Sequence, residues 1–413
     1  MEDNRHLIYD WNKKTGKKIR KDNPVELDDE TLRDGLQSPS VTDPDISEKI
    51  QILHLMDDLG IQTANIGLPG AGTRAREDVI TLAAEIVNSR LNITPNCAAR
   101  TVKSDIEPII EAAQKVGTPI EACTFIGSSP IRRYAEDWSL DMMLKNTEMA
   151  VKYAVDNGLP VMYVTEDTTR ADPDTLKKLY TTAIECGARR ICVCDTVGHA
   201  IPSGVKSLIK YIKNIVKATG EDVKIDWHGH RDRGLSIPNA IAAVESGADR
   251  IHATALGIGE RVGNTPMDIL LVNLKLLGWV ENDLTKLSTY CQLVSKYCNV
   301  PILPNYPIIG EDAFRTGTGV HAAAVIKAEK KGDAWLADRV YSGVPAGMVG
   351  SYQKIEIGPM SGRSNIIYWL EKRGIDPHEE LVTSIFDAAK ESKKIMKEEE
   401  IYKIVNEFKN RED

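Results

Sequence analysis

The chain has 413 residues, 42% apolar and 27% charged, a composition that can bury a large core and excludes a disordered or collagen-like protein. Its 60 acidic and 52 basic residues leave a formal net charge of −8, so there is no global electrostatic footprint for nucleic acid. No stretch approaches the ~18 consecutive apolar residues of a membrane span, and no signal-peptide apolar region opens the chain, which points to a cytoplasmic protein without a membrane partner.

At ~150 residues per domain the length allows two or three domains, but an α/β barrel of ~250 residues with an appendage fits equally well. The one basic run, Lys13 to Lys21, reads as a solvated part of an N-terminal arm (1–24). The seven cysteines include no CxxC, and only Cys192 and Cys194 are close together. Buried reduced thiols are the expectation.

From Val25 onward a short β-branched run followed by a longer helical pattern recurs eight times. The spacing predicts strands at Val25–Leu32, Thr63–Leu68, Asn92–Arg100, Pro119–Ile126, Pro160–Glu166, Arg189–Thr196, Val223–His230 and Arg250–Ile258, each followed by a helix. Five of the helices end at a glycine, Gly60, Gly117, Gly158, Gly187 and Gly247, where a left-handed C-cap is expected. Alternating strand and helix argues a parallel sheet, and eight units argue a closed (β/α)8 TIM barrel over 25–280 rather than an open doubly wound sheet. An open sheet is further disfavoured because no GxGxxG follows the first strand. After Gly278 a helix over Asp283–Cys298 and a proline-rich connection lead to helices at Thr318–Lys331 and His378–Arg411, so 281–413 reads as a linker and an appended α-helical subdomain.

In a barrel of this kind catalytic groups sit where strands end. Those ends carry DDETLRDGLQ (Asp28–Gln37), Arg100, TEDTTR (Thr165–Arg170), CDTVGH (Cys194–His199), WHGHRDRG (Trp227–Gly234) and GIGERVGN (Gly257–Asn264). His228 and His230, two apart on a strand, share a face. Asp34 follows strand one, another odd-numbered strand, and can reach the same mouth. Two imidazoles, a carboxylate and the Asn264 carbonyl suit Mg²⁺, Mn²⁺ or Zn²⁺ with open positions. Glu166, Glu260 and His321 are acid/base candidates, and Arg100 is a substrate-binding candidate. The glycines of the last segment permit close backbone approach to a ligand, but with no following Lys-Ser/Thr they form no P-loop.

LRDGLQ (Leu32–Gln37), HGH (His228–His230) and GIGERVGN (Gly257–Asn264) together resemble the signatures of the metal-dependent Claisen-condensing and retro-aldol lyase superfamily on a TIM barrel. Within it the chain is most similar to the 2-isopropylmalate synthases, with homocitrate and citramalate synthases as relatives. The resemblance implies condensation of acetyl-CoA with a 2-oxo acid, 2-oxoisovalerate, as the first step of leucine biosynthesis. It implies that Asp34, His228 and His230 ligate a divalent metal, with Asn264 as a further candidate, and that Arg33 contacts the 2-oxo group. Glu166 and Thr196 match pocket-lining positions, and Glu260 matches the glutamate of the GxGER segment. TGVH (Thr318–His321) looks like the appended segment whose histidine reaches the active site of the neighbouring subunit in a homodimer, with Tyr352 as its companion. The base is left among Glu166, Glu260 and a His321–Tyr352 pair.

Two departures stand out. Arg231 replaces the Asn or Asp of the usual HxH[ND]D, and the chain ends at Asp413, where leucine-regulated members continue into a regulatory domain, so that regulation is expected to be absent. Hydroxymethylglutaryl-CoA-type lyases carry a cysteine in the loop after strand eight, and Gly257–Asn264 has none. A non-enzymatic metal-binding regulatory barrel is disfavoured by intact ligands and Arg33.

Overall fold

The computed structural model describes residues 4–14 and 24–412, so the basic run Lys13–Lys21 lies largely outside the described residues. Eight parallel strands close in chain order: β1 (Glu26–Asp29), β2 (Thr63–Asn65), β3 (Thr94–Arg100), β4 (Glu121–Gly127), β5 (Val161–Glu166), β6 (Arg190–Asp195), β7 (Lys224–Gly229) and β8 (Arg250–Ala253). β8 pairs with β1 from Glu26↔Arg250 to Asp29↔Ala253, which completes the ring. The fold is the expected (β/α)8 barrel.

Local sequence explains the helices around it. The helix Pro202–Thr219 opens on a proline and buries Val205, Ile209, Ile212 and Ile215, a three-to-four-residue spacing that lays one stripe on the sheet. Each such side chain contributes roughly 1.5–3 kcal/mol when removed from water. All five glycines expected as C-caps have positive φ, between 67° and 110°.

Three strands are shorter than their apolar patterns suggest: β2 ends at Asn65, and β1 and β8 also stop early. β1 stops at Asp29 because the Glu30 carbonyl accepts from the amides of Arg33 and Gly35, at 3.1 and 3.0 Å, and the chain curls. β8 stops at Ala253, and Leu256 beyond it takes φ 55°. Both curls carry polar residues back over the barrel mouth.

The compact unit holding the barrel spans Lys17–Pro301 and so takes in the helix Leu287–Tyr297, past the boundary expected at 280. That helix buries Leu287, Tyr290, Cys291 and Val294, and the Tyr290 hydroxyl donates to the carboxylate of Asp29 on β1. The second unit comprises residues from Ile302 onward together with the first described segment. It contains a two-stranded parallel sheet, β9 (Arg315–Thr316) and β10 (Lys354–Ile355), beside helices that include Gly319–Lys330 and Arg363–Glu371. Ile366, Trp369, Leu370, Leu381, Ile385 and Ile401 are among its core residues.

The long helix expected over His378–Arg411 is two helices, Glu379–Glu391 and Glu398–Glu412. The break needs neither Gly nor Pro. The Ser392 hydroxyl bonds the carbonyls of Ala389 and Lys394, and the Met396 amide bonds the Ile357 carbonyl at 2.8 Å, drawing the segment inward. Among the described residues no helix is long and apolar enough to cross a membrane, and all seven cysteines are free.

Candidate active site

Strand alternation decides which side chains enter the barrel. On β1, Glu26 and Asp28 point inward with Glu30 above them; on β7, Asp226 and His228; on β8, Arg250 and His252. At the lower level Arg250 donates to Asp226 (2.6 Å) and Glu121 (2.7 Å), while Arg190 donates to Asp226 (2.7 Å) and Glu26 (2.6 Å). Burial alone would protonate Asp226, but the two guanidinium groups hold its carboxyl far below the usual range. His252 sits one level up, its Nε2 2.9 Å from Asp226. Burial opposes its charge, yet the surrounding carboxylates raise its pKa well above the ordinary histidine value.

The mouth holds the expected cluster. The Nε2 atoms of His228 and His230 lie 3.4 and 3.8 Å from Asp34 Oδ2, and all three residues are buried. These separations exceed a good hydrogen bond. His230 Nδ1 and Asn264 Oδ1 are buried without a hydrogen-bond partner among the described residues. Burial lowers the His230 pKa to about 4, so its imidazole is neutral at pH 7 and its lone pair available. The Asp34 carboxylate and the two imidazoles offer ligand atoms within 4.8 Å of one another, a donor set that fits a divalent cation.

A cavity of about 200 Å³ opens beside this cluster. Arg33, Glu166, Thr196 and Glu260 line it together with Asp34, His228 and His230, so the structure brings most of the sequence-derived residues to one place. Arg33 pairs with Glu30 and stands 3.5 Å from Asp34. Glu166 is half-buried at the end of β5, and burial raises its pKa against the pull of Arg132, Arg33 and His228. The Thr196 hydroxyl accepts from the Asp167 amide at 2.8 Å. Glu260 is exposed at the rim.

Some expectations change. Arg100 does not line the cavity: it is exposed and bidentate on Asp105, in the first turn of the next helix, at 2.7 and 2.9 Å. Gly259 and Gly263 are required by the loop's own crossing. At φ +149° and +101°, a Cβ on Gly259 would meet Asn264 Nδ2 at 2.1 Å, and one on Gly263 would meet the Gly257 carbonyl at 1.8 Å. Arg231 braces the same loop, donating to the Val262 carbonyl at 2.7 Å. In the second unit, exposed His321 stacks on Tyr341 with ring centroids 4.1 Å apart, while Tyr352 lies under Lys354. His321 and Tyr352 are thus not ring partners.

Glu30, His252 and Arg261 also line the cavity and were not singled out. The signal for His252 is a charge every second residue along an otherwise apolar strand, Arg250 then His252, while Glu30 follows Asp28 and Asp29 in an acidic run that hides the alternation. Arg261 carries no such signal. It takes φ 55° and chelates Asp232 while donating to the Thr196 carbonyl at 2.7 Å.

A family model described as HMGL-like matches residues 24–294, the whole barrel. The chain belongs to the HMGL-like family. Its relatives carry several names. It is 33% identical over 366 residues to the homocitrate synthase AksA of Methanopyrus kandleri, covering 88% of this chain and 86% of that one. It is also 33% identical over 367 residues to the 2-isopropylmalate synthase of Methanocaldococcus jannaschii, covering 88% and 66%, and 31% identical over 371 residues to the (R)-citramalate synthase CimA of the same organism, covering 89% and 70%. Among solved structures, the HMG-CoA lyase of Bacillus subtilis superposes with a TM-score of 0.57 at 19% identity, over 68% of this chain and 95% of that one, a likeness of fold. Near-equal similarity to differently named synthases leaves the choice of substrate to the cavity wall of this HMGL-like chain.

Proposed function

We propose that this HMGL-like protein condenses acetyl-CoA with 2-oxoisovalerate, giving 2-isopropylmalate and free CoA, the first step of leucine biosynthesis. The supporting observation is the cavity wall. Leu68, Ala98, Phe125, Met162 and Val164 give it an apolar stretch beside its charged residues, and its two guanidinium groups are paired, Arg33 with Glu30 and Arg261 with Asp232. A branched aliphatic side chain fits such a wall. The second carboxylate of a longer 2-oxo diacid, set against that apolar stretch, would be desolvated at a cost of several kcal/mol.

Asp34, His228 and His230 would hold the divalent cation (Mg²⁺, Mn²⁺ or Zn²⁺), with the Asn264 oxygen as a further donor. Bound there, the cation supplies Lewis acidity to the 2-oxo acid. Arg33 places a fixed positive charge beside the same oxygen and shares the charge of the developing alkoxide. Glu166, with its raised pKa and its place inside the cavity, is well suited to take the proton from the acetyl methyl group. The resulting carbon nucleophile attacks the 2-oxo carbon, the alkoxide is protonated, and water cleaves the thioester to release CoA.

A panel of 2-oxo acids with acetyl-CoA, followed by thiol release, tests this. The expected order of kcat/KM is 2-oxoisovalerate, then pyruvate, then 2-oxoglutarate, the first two differing by roughly 10–200-fold because an apolar pocket discriminates small alkyl groups weakly. Preference for 2-oxoglutarate would overturn the substrate, and no thiol release with any acid would overturn the condensing reaction. The active unit proposed is a homodimer in which His321 and Tyr352 serve the neighbouring barrel. Mixing an inactive His228→Ala variant with an inactive His321→Ala variant should then restore part of the activity, and no recovery in demonstrated heterodimers would reject it.

A further inference from the structure

The two histidines of the cluster are not equivalent. A metal-binding imidazole must keep its proton on the nitrogen that faces away from the metal, and an isolated neutral imidazole exchanges that proton between both nitrogens. His230 Nδ1 has no partner among the described residues. His228 Nδ1 lies 2.6 Å from Glu30 Oε2, an ion-pair contact off the line of a hydrogen bond.

We propose that Glu30 is the positioning residue of this site: it keeps the His228 proton on Nδ1, so that Nε2 presents its lone pair toward Asp34. This rests on the metal reading above. Glu30 is itself held in place from three sides. Its amide donates to the Ala253 carbonyl at 2.9 Å, its Oε1 pairs with the Arg33 guanidinium, and His252 Nδ1 stands 3.4 Å from that same oxygen. His252 is anchored in turn by Asp226. Asp226 is fixed by Arg190 and Arg250. A line of alternating charges therefore runs from the lower barrel level to the back of His228, and rotating the Glu30 carboxylate would break at least one of its contacts. Since the same carboxylate binds Arg33, one side chain sets both the imidazole and the guanidinium that flank the substrate oxygen.

A competing use of these atoms exists. Glu30, His228 and His252 offer ligand atoms within 4.8 Å of one another and could hold a second ion. The 2.6 Å approach of Glu30 to His228 Nδ1 is a direct contact and leaves no room for an ion between them.

The test uses the full chain stripped of metal and no substrate. Mn²⁺ is titrated in and the signal of free Mn²⁺ followed by electron paramagnetic resonance, while ¹⁵N-labelled histidine reports which nitrogen of His228 carries the proton. The native protein should bind one Mn²⁺ per chain and show His228 protonated on Nδ1. Glu30→Ala should weaken Mn²⁺ binding about 10–100-fold and move the proton toward Nε2. Glu30→Gln, whose amide oxygen can still accept from Nδ1, should recover most of that loss. Equal affinity in native protein and Glu30→Ala would overturn the proposal. So would two Mn²⁺ ions bound per native chain, one of them lost with Glu30. If neither variant folds, the native spectrum decides, because a proton found on Nε2 excludes the role. A native protein that binds no Mn²⁺ instead removes the metal reading, and this proposal with it.

Discussion

The two ends of the barrel interior are built from the same kinds of residue and behave in opposite ways. At the lower end the guanidinium groups of Arg190 and Arg250 are met by Asp226, Glu121 and Glu26 at 2.6–2.7 Å. At the mouth, Asp34, His228 and His230 stand 3.4–3.8 Å apart, with His230 Nδ1 and Asn264 Oδ1 unpartnered. Asp226 and Arg250 are as fully buried as the three residues of the mouth. What separates scaffold from site is whether the donors and acceptors are used up, since an unsatisfied buried polar atom persists only where something else repays its cost.

The contrast can be broken at either end. Replacing His230 with Ala should abolish metal-dependent turnover while the thermal midpoint moves by only a few degrees; near-native activity and metal content would place the metal elsewhere. Replacing Arg250 with Met should do the reverse, costing about 3–5 kcal/mol in denaturant unfolding because Asp226 and Glu121 lose a buried partner. A loss below about 1 kcal/mol would show the lower network to be dispensable.

Asp29 supplies a third case, a carboxyl facing the outer side of the wall and paired with neutral groups only. Burial pushes it up to about 6 from 3.8, despite hydrogen bonds from Thr31 and Tyr290. Between those values the native state binds more protons than the unfolded chain, so stability falls as pH rises through the window. Unfolding curves for native protein and Asp29→Asn should diverge by up to about 3 kcal/mol across it and run parallel above. A pH-independent difference would contradict the assignment. Finally, Arg33→Lys keeps the charge but loses the planar fork and should lower turnover about 10²-fold, or about 2.7 kcal/mol. An unchanged turnover number would remove Arg33 from the chemistry.

The barrel was legible in the sequence because its signals are local and repeated: apolar runs, helical stripes and glycines at helix ends. Asp34, His228 and His230 were legible because period-two spacing puts both histidines on one face. The departures are all tertiary. Arg100 sits at a strand end as expected, but the following helix presents Asp105 to it. The helix after His378 breaks on a serine hydroxyl and a backbone bond to Ile357, neither of which leaves a mark in composition. Glu30 and His252 acquire their roles only when β8 closes onto β1 and brings residues far apart in sequence to adjacent positions.

That closure has a further consequence for how the chain can come apart. The first four strands bring Glu26, Asp28 and Glu121 to the interior, while the last four bring Arg190, Arg250 and His252 along with Asp226. Each half taken alone would bury an excess of one sign, so neither is a plausible resting state for the chain. Charge pairing between the two halves therefore favours the closed ring over either half alone.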